Sequence, residues 1–340
     1  MMSSKYHLSN RVCSIDFVKG IAAILIVCLH CFRLDAIDGL IHIIAKLSVP
    51  VFFIITGYYL PDMMSSGRLS IHIRKILKIT VLSILLYAFL YVIDPSKGGI
   101  LNALITVFKS CSSAITSLLL GRVPIDVNAG HLWYLVSILY ILVFFSFFAK
   151  KESIKKLYFC IPILFFIGYL ISSVVDGLDG NSRKFYQNYL FIGLPYVLLG
   201  SFIHENNDKI IISNRKLGIL FIILFFVYLA ELGLYYIVGV EIHREHYLSI
   251  IPLVCIVLIW AINNPNFGYN NWISRIGKDY SLYIYIFHYY IVSKLWGLMP
   301  HNSVLSSKIM MLLSIVLSVA SAFLFLRLKS IIKTLKKKTV

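Results

Sequence analysis

Ten stretches of this chain are apolar over nearly the length a helix needs to cross a bilayer, about 20 residues. That pattern leaves few folds open. The runs are 15–33, 46–60, 76–93, 132–149, 157–174, 189–204, 217–239, 247–263, 281–297 and 307–328. In hydrocarbon, each backbone N–H and C=O must find its partner within the chain, so such runs fold as helices. Composition agrees: 59% of the 340 residues are hydrophobic and 14% are charged, against about a quarter charged in a soluble domain. The 22 tyrosines and 23 phenylalanines suit rings placed at headgroup depth. The expected fold is an all-α polytopic membrane bundle of about ten transmembrane helices, with residues 1–340 as a single domain.

A net charge of +17 raises the question of a nucleic-acid partner. The basic residues, however, form short clusters between apolar runs, which suits loops beside anionic lipid, and no nucleic-acid motif is present. The expected partner is therefore the lipid bilayer and not nucleic acid. Placing the N-terminus inside assigns 21 of the 32 basic residues to cytoplasmic segments and ten to outer ones, with Lys19 inside a span. A twofold inward bias is what the positive-inside rule asks for. Both termini are thus expected in the cytoplasm, with 1–13 as the N-terminal segment, 94–131 extracytoplasmic and 329–340 a basic tail. In that tail, Lys336, Lys337 and Lys338 anchor to headgroups. The stretch 100–120 carries Leu101, Leu104, Ile105 and Phe108 at helical spacing among Asn102, Lys109, Ser110, Ser112 and Ser113. It reads as an amphipathic helix that lies on the surface or re-enters. Counting it as an eleventh span would put Lys150, Lys151, Lys155 and Lys156 outside.

Six cysteines form no disulfide framework. Cys13, Cys28, Cys31, Cys160 and Cys255 lie in or beside apolar segments, and Cys111 falls in an extramembrane stretch. Cys28 and Cys31 have the spacing of a redox pair but sit in an apolar helix, where packing explains them. No small-residue cleavage site follows Ser14 to Phe32, so that run is read as an uncleaved anchor.

Ionisable groups within spans are costly and therefore point to function. The first run holds Asp16 and Lys19, three residues apart, and then His30. On an ideal helix, Lys19 and His30 lie about 16 Å apart along the axis and only about 20° apart around it. One stripe then carries an acid, a base and a histidine. Interfacial snorkelling by Asp16 and Lys19, and a packing role for His30, are the bland alternatives. In the ninth run Ser281, Tyr285 and His288 share a helix face, with an interhelical hydrogen bond as the competing account. Thr56-Gly57 ends the second run with a small pair that permits close helix approach. His131, Trp133 and Tyr134 open the fourth run on the outer side, where an aromatic belt competes. Arg74, Lys75 and Lys78 open the third run, where ordinary inward charge would account for them. Glu231, inside the seventh run, is open to pairing with a polar partner or to simple interhelical bonding.

Taken in order, these residues resemble the acyltransferase-3 family of multi-spanning bacterial membrane acyltransferases. The likeness is carried by Asp16-Phe17-Val18-Lys19-Gly20-Ile21 followed by His30, and by Val49-Pro50-Val51-Phe52-Phe53-Ile54-Ile55-Thr56-Gly57-Tyr58. His131-Leu132-Trp133-Tyr134 and Ile276-Gly277 with Ser281 to His288 complete it. In that family a basic residue, ten intervening residues and a histidine are regarded as essential. Arginine is usual where Lys19 stands, and lysine lacks its bidentate fork. Ser-Gly is common where this chain has Thr56-Gly57. An arginine early in the third span also matters there, matched best by Arg74, with Lys78 as the other candidate. The chain ends at 340 without the soluble hydrolase-like domain of some members, resembling stand-alone forms that acetylate surface sugars.

The resemblance implies a bacterial cytoplasmic-membrane enzyme that moves an acyl group, usually acetyl from acetyl-CoA, to a hydroxyl of a surface glycan or its lipid-linked precursor. No metal is implied. Lys19, Arg74 and Lys78 would meet the donor's phosphates, and Asp16 would position Lys19. His30 would act as base or acyl carrier. His131, Trp133, Tyr134, Thr56, Ser281, Tyr285 and His288 would line the acceptor path. The competing class is a transporter or carrier module, since polar stripes also make substrate paths and similar membrane domains occur fused to amino-acid racemases. Inverted repeats and broken helices would favour that class.

Overall fold

The computed structural model describes residues 12–31, 34–110, 114–123, 127–147, 152–175, 185–238, 247–300 and 303–338. Cys111, Lys150, Lys151 and residues 176–184 lie outside them. Among the described residues all regular structure is helical. The chain runs through α1 (Cys13–Cys28), α2 (Ala36–Ala45), α3 (Ser48–Ser65), α4 (Leu69–Val92), α5 (Ile100–Ser110), α6 (Ala114–Leu119) and α7 (Trp133–Ser146). It continues through α8 (Glu152–Lys155), α9 (Cys160–Val175), α10 (Leu194–Glu205), α11 (Asn214–Ile237) and α12 (Ile250–Asn263). Last come α13 (Trp272–Arg275), α14 (Ser281–Leu298) and α15 (Val304–Lys338). Two π-helical turns, Tyr189–Gly193 and Ile276–Tyr280, lead into α10 and α14.

Among the described residues, four segments are long and apolar enough to cross a membrane by themselves: Ala36–Ser65, Leu69–Val92, Asn214–Ile237 and Val304–Leu335. Only 17% of the apolar window of α4, and of α11, is buried, against 50% for Ala36–Ser65. Apolar faces so bare to their surroundings require hydrocarbon around them. Other helices are shorter than the runs that encode them, for two physical reasons. The sixth run begins as a π turn, where the Asn188 side chain accepts from the backbone N–H groups of Leu190 and Phe191 at 2.9 and 3.1 Å. The first run stops being helical at Cys28. There the Leu29 N–H still reaches Leu25 O, but the His30 N–H turns back to Val27 O at 3.2 Å, a tighter i−3 bond. Hydropathy does not change at that point, so the sequence does not mark it.

At eleven residues α5 spans about 16 Å, too little to cross the bilayer. Its Leu101, Leu104, Ile105 and Phe108 are exposed, while Ala103 is buried. The last helix departs from expectation in the other direction. α15 continues to Lys338, ten residues beyond the expected end of the run, and at 35 residues extends about 52 Å. Arg327 lies over the Phe323 ring at 5.2 Å, a cation–π contact.

By packing, the chain forms two compact units, residues 1–51 with 256–340, and residues 52–255. In the first, α1 packs against α13, the second π turn, α14, α15 and α2, burying Ile15, Val18, Ala22, Ala23, Ile26 and Val27. The Ser14 hydroxyl donates to Ala261 O of α12, and Phe17 meets Phe267 edge-on at 4.9 Å. Where α2 begins, Asp35 caps it by accepting from the Asp38 N–H at 2.8 Å. Lys308, near the start of α15, donates to Asp35 at 2.9 Å and also to Asp38. Asp38 is buried and accepts as well from Ser307 at 2.7 Å and from the Leu34 N–H at 3.3 Å. This cluster ties the segment that follows His30 to α15. The Asp35 carboxyl is held below the usual carboxylate range, first by the Asp38 N–H and then by Lys308. Its contribution to stability is therefore present at neutral pH and is lost as pH falls through that lowered value.

In the second unit α3 and α10 touch through two glycines. A side chain at Gly57 would collide with Val197 O, and one at Gly200 with Ile54 O. The close approach read from Thr56-Gly57 is thus present, with Gly200 as the partner the sequence did not reveal. Glu231 of α11 accepts from the backbone N–H groups of Leu248 and Ser249, each at 3.0 Å, and from the Ser249 hydroxyl. It joins α11 to the start of α12, and of its two readings the bonding one is realised.

Candidate functional site

Asp16, Lys19, His30, Ser281, Tyr285 and His288 all belong to the first unit. Asp16 sits in the first turn of α1, where a carboxylate also complements the helix dipole. Lys19 lies 3.9 Å from it, an i, i+3 pair with side chains 28% and 13% exposed for Lys19 and Asp16. At that distance and exposure the pair orients more than it stabilises. One residue on, Gly20 lies against α13: a methyl there would collide with Ile273 O. Gly277, in the π turn, has no room either, because a Cβ would strike Asp16 O. The backbone that carries Asp16 and Lys19 is thus seated directly on the π turn that starts α14. Such turns are rare and cluster at functional sites.

Ser281, Tyr285 and His288 are all buried. The Ser281 hydroxyl donates to Gly277 O at 2.8 Å, absorbing a carbonyl that the π turn leaves out of the regular ladder. At the other end of α1, His30 stands in the turn beyond the helix. Its ring centre is 5.1 Å from that of His288 and 5.2 Å from that of Tyr289, which it meets edge-on. By spacing, His30 belongs to the stripe of the first run and His288 to a separate stripe of the ninth, with nothing to connect them. Because α1 ends at Cys28, the ideal-helix angle between Lys19 and His30 does not carry through to the histidine.

The second unit holds the remaining candidates. Trp133 and Tyr134 at the start of α7 surround Phe53 of α3, with ring centres 5.8 and 4.7 Å away. The Tyr134 side chain is hydrogen-bonded to Thr56, whose own hydroxyl also reaches Phe52 O at 2.9 Å. His131 is elsewhere, buried in the 3-10 turn before α7 with its ring 4.9 Å from that of Tyr87 on α4. Trp133 and His131 are both buried, as inward-facing side chains and not as an exposed belt. Arg74 and Lys78 are exposed one helical turn apart on α4, open to any anion that approaches that face.

Comparison with known proteins gives this arrangement a context. Residues 13–327 match the model of a family described as an acyltransferase domain. The chain is also 24% identical, over 93% of its length, to the serine/alanine racemase of Enterococcus gallinarum, of which it spans 46%. No solved structure matches it.

Proposed function

Since the chain belongs to the acyltransferase-3 family of membrane acyltransferases, we propose that it moves an acetyl group from cytoplasmic acetyl-CoA to a hydroxyl of a surface glycan or its lipid-linked precursor. The observation that carries this reading is that the first unit holds the Asp16–Lys19 pair near the start of α1 and His30, against His288, in the turn just beyond its end. Lys19, fixed by Asp16, is suited to an anionic donor, and His30 to the reacting hydroxyl. A neutral imidazole takes the proton as the oxygen attacks the thioester carbon. Lysine meets phosphate as a point charge where the family more often offers a fork.

The ten apolar runs and the twofold inward bias of basic residues support ten crossings with both ends in the cytoplasm. In intact cells an impermeant thiol reagent should fail to label a cysteine introduced next to Lys155. Labelling there would refute that topology.

The donor half of the proposal is tested by binding. Purified protein in detergent should bind acetyl-CoA, more weakly as salt rises, and Lys19→Ala should weaken binding more than Lys19→Arg. The likeness to a racemase that is longer than this chain supports a second reading, a carrier for a small solute such as an amino acid. Absence of acetyl-CoA binding at millimolar concentration, about 4 kcal/mol of affinity, would favour that carrier.

A further inference from the structure

We propose that His288 is a positioning residue for His30, acting through that imidazole on the proton it handles. This rests on the acyl-transfer reading of the site. His288 has no exposed surface, and its Nδ1 lies 2.8 Å from Tyr285 O and 3.2 Å from Ile284 O. Both neighbours are carbonyl oxygens, which only accept, so Nδ1 carries the hydrogen. In the neutral ring the lone pair is then on Nε2. The helix's own backbone thus fixes the tautomer, a task that a carboxylate performs in the familiar hydrolase triads.

The neighbouring imidazole is His30. The two rings are in tilted contact, with centroids 5.1 Å and planes 39° apart, close enough for a turn of the His30 ring to bring its N–H to His288 Nε2. Tyr289 meets the same His30 ring edge-on, with centroids 5.2 Å apart. His30 stands on a turn and not on a helix, so these two side chains of α14 supply the orientation that its own backbone does not.

The step balances as follows. The acceptor oxygen forms a bond to the thioester carbon, and the carbon–sulfur bond breaks with its electron pair leaving on sulfur. The hydroxyl proton passes to His30 and then to the thiolate, so that a hydroxyl and a thioester become an ester and a thiol. His288 Nε2 accepts a hydrogen bond from His30 while the latter holds the extra proton, and so keeps the ring aimed at the acceptor.

The test is His288→Phe and His288→Gln, assayed for acetyl transfer alongside His30→Ala. His288→Phe should lower kcat at least about tenfold while the KM for acetyl-CoA stays within about twofold, the signature of an interaction made in the transition state only. Glutamine retains an amide that can bond both a carbonyl and a neighbouring imidazole, and should restore part of that loss. A folded His288→Phe protein with wild-type kcat overturns the proposal. Where the phenylalanine variant does not fold, a His288→Gln protein with unchanged kcat overturns it instead. An active His30→Ala protein sinks the catalytic reading itself. An inactive His30→Ala protein beside a fully active His288→Phe protein sinks only the role of His288.

Discussion

His30→Ala lowers the kcat of acetyl transfer by about 10²- to 10⁴-fold, the usual contribution of a positioned general base, and leaves the protein folded. The expectation of intact folding follows from where His30 sits. It is outside α1, in a turn, and its neighbours His288 and Tyr289 are held by α14. Initial rates at saturating acetyl-CoA, set beside melting in detergent, separate the possibilities. A histidine that only packs would lose activity in proportion to stability. A base would lose rate alone, with donor affinity carried by Lys19 and unaffected. A well-folded His30→Ala protein that transfers at near the wild-type rate contradicts the account.

The second large effect is expected from a single methyl. Gly277→Ala places a Cβ into the Asp16 carbonyl, backbone against backbone, with no flexible side chain to give way. Overpacking of that kind costs about 1–3 kcal/mol. It also pushes apart the segment carrying Asp16 and Lys19 and the turn that starts α14, so activity should fall with stability. Gly233→Ala is the control. Gly233 is also helical, but a Cβ there meets nothing within 4 Å, and the substitution should be neutral or stabilise by up to about 1 kcal/mol through helix propensity. Melting temperatures of the two variants should therefore move in opposite directions or, at the least, differ clearly. Equal shifts would show that Gly277 is not a contact point.

These two predictions draw on different kinds of information. The helical, membrane-embedded class was legible from hydropathy alone, because a long apolar run has few other ways to bury its backbone. The Asp16–Lys19 pair was legible too, since i, i+3 neighbours meet on any helix. What spacing could not show is which helix faces meet. His30 and His288 stand at opposite ends of the sequence, and neither stripe indicates its partner. The same holds for Gly20 with Ile273, Gly277 with Asp16, and Gly57 with Val197, although Gly20, Gly57 and Gly277 all stood in the family-like segments. Helix ends were the weakest part. Apolar residues continue past Cys28 without a break, so nothing in hydropathy signals the turn on which His30 stands. The cluster of Asp35, Asp38, Ser307 and Lys308 joins residues far apart in the chain, which no local spacing pairs. Two aspartates three residues apart just before an apolar run are a recognisable helix start, and that signal could have found half of it.

The central claim is that acetyl leaves a cytoplasmic thioester and is joined covalently to a hydroxyl-bearing acceptor by His30. Membrane vesicles holding the protein and its glycan acceptor, given acetyl-CoA labelled in the acetyl group at the cytoplasmic face, test it most directly. The account predicts label covalently bound to glycan, absent in His30→Ala vesicles. Saturable passage of a free solute with no need for acetyl-CoA, and no labelled glycan, would contradict it.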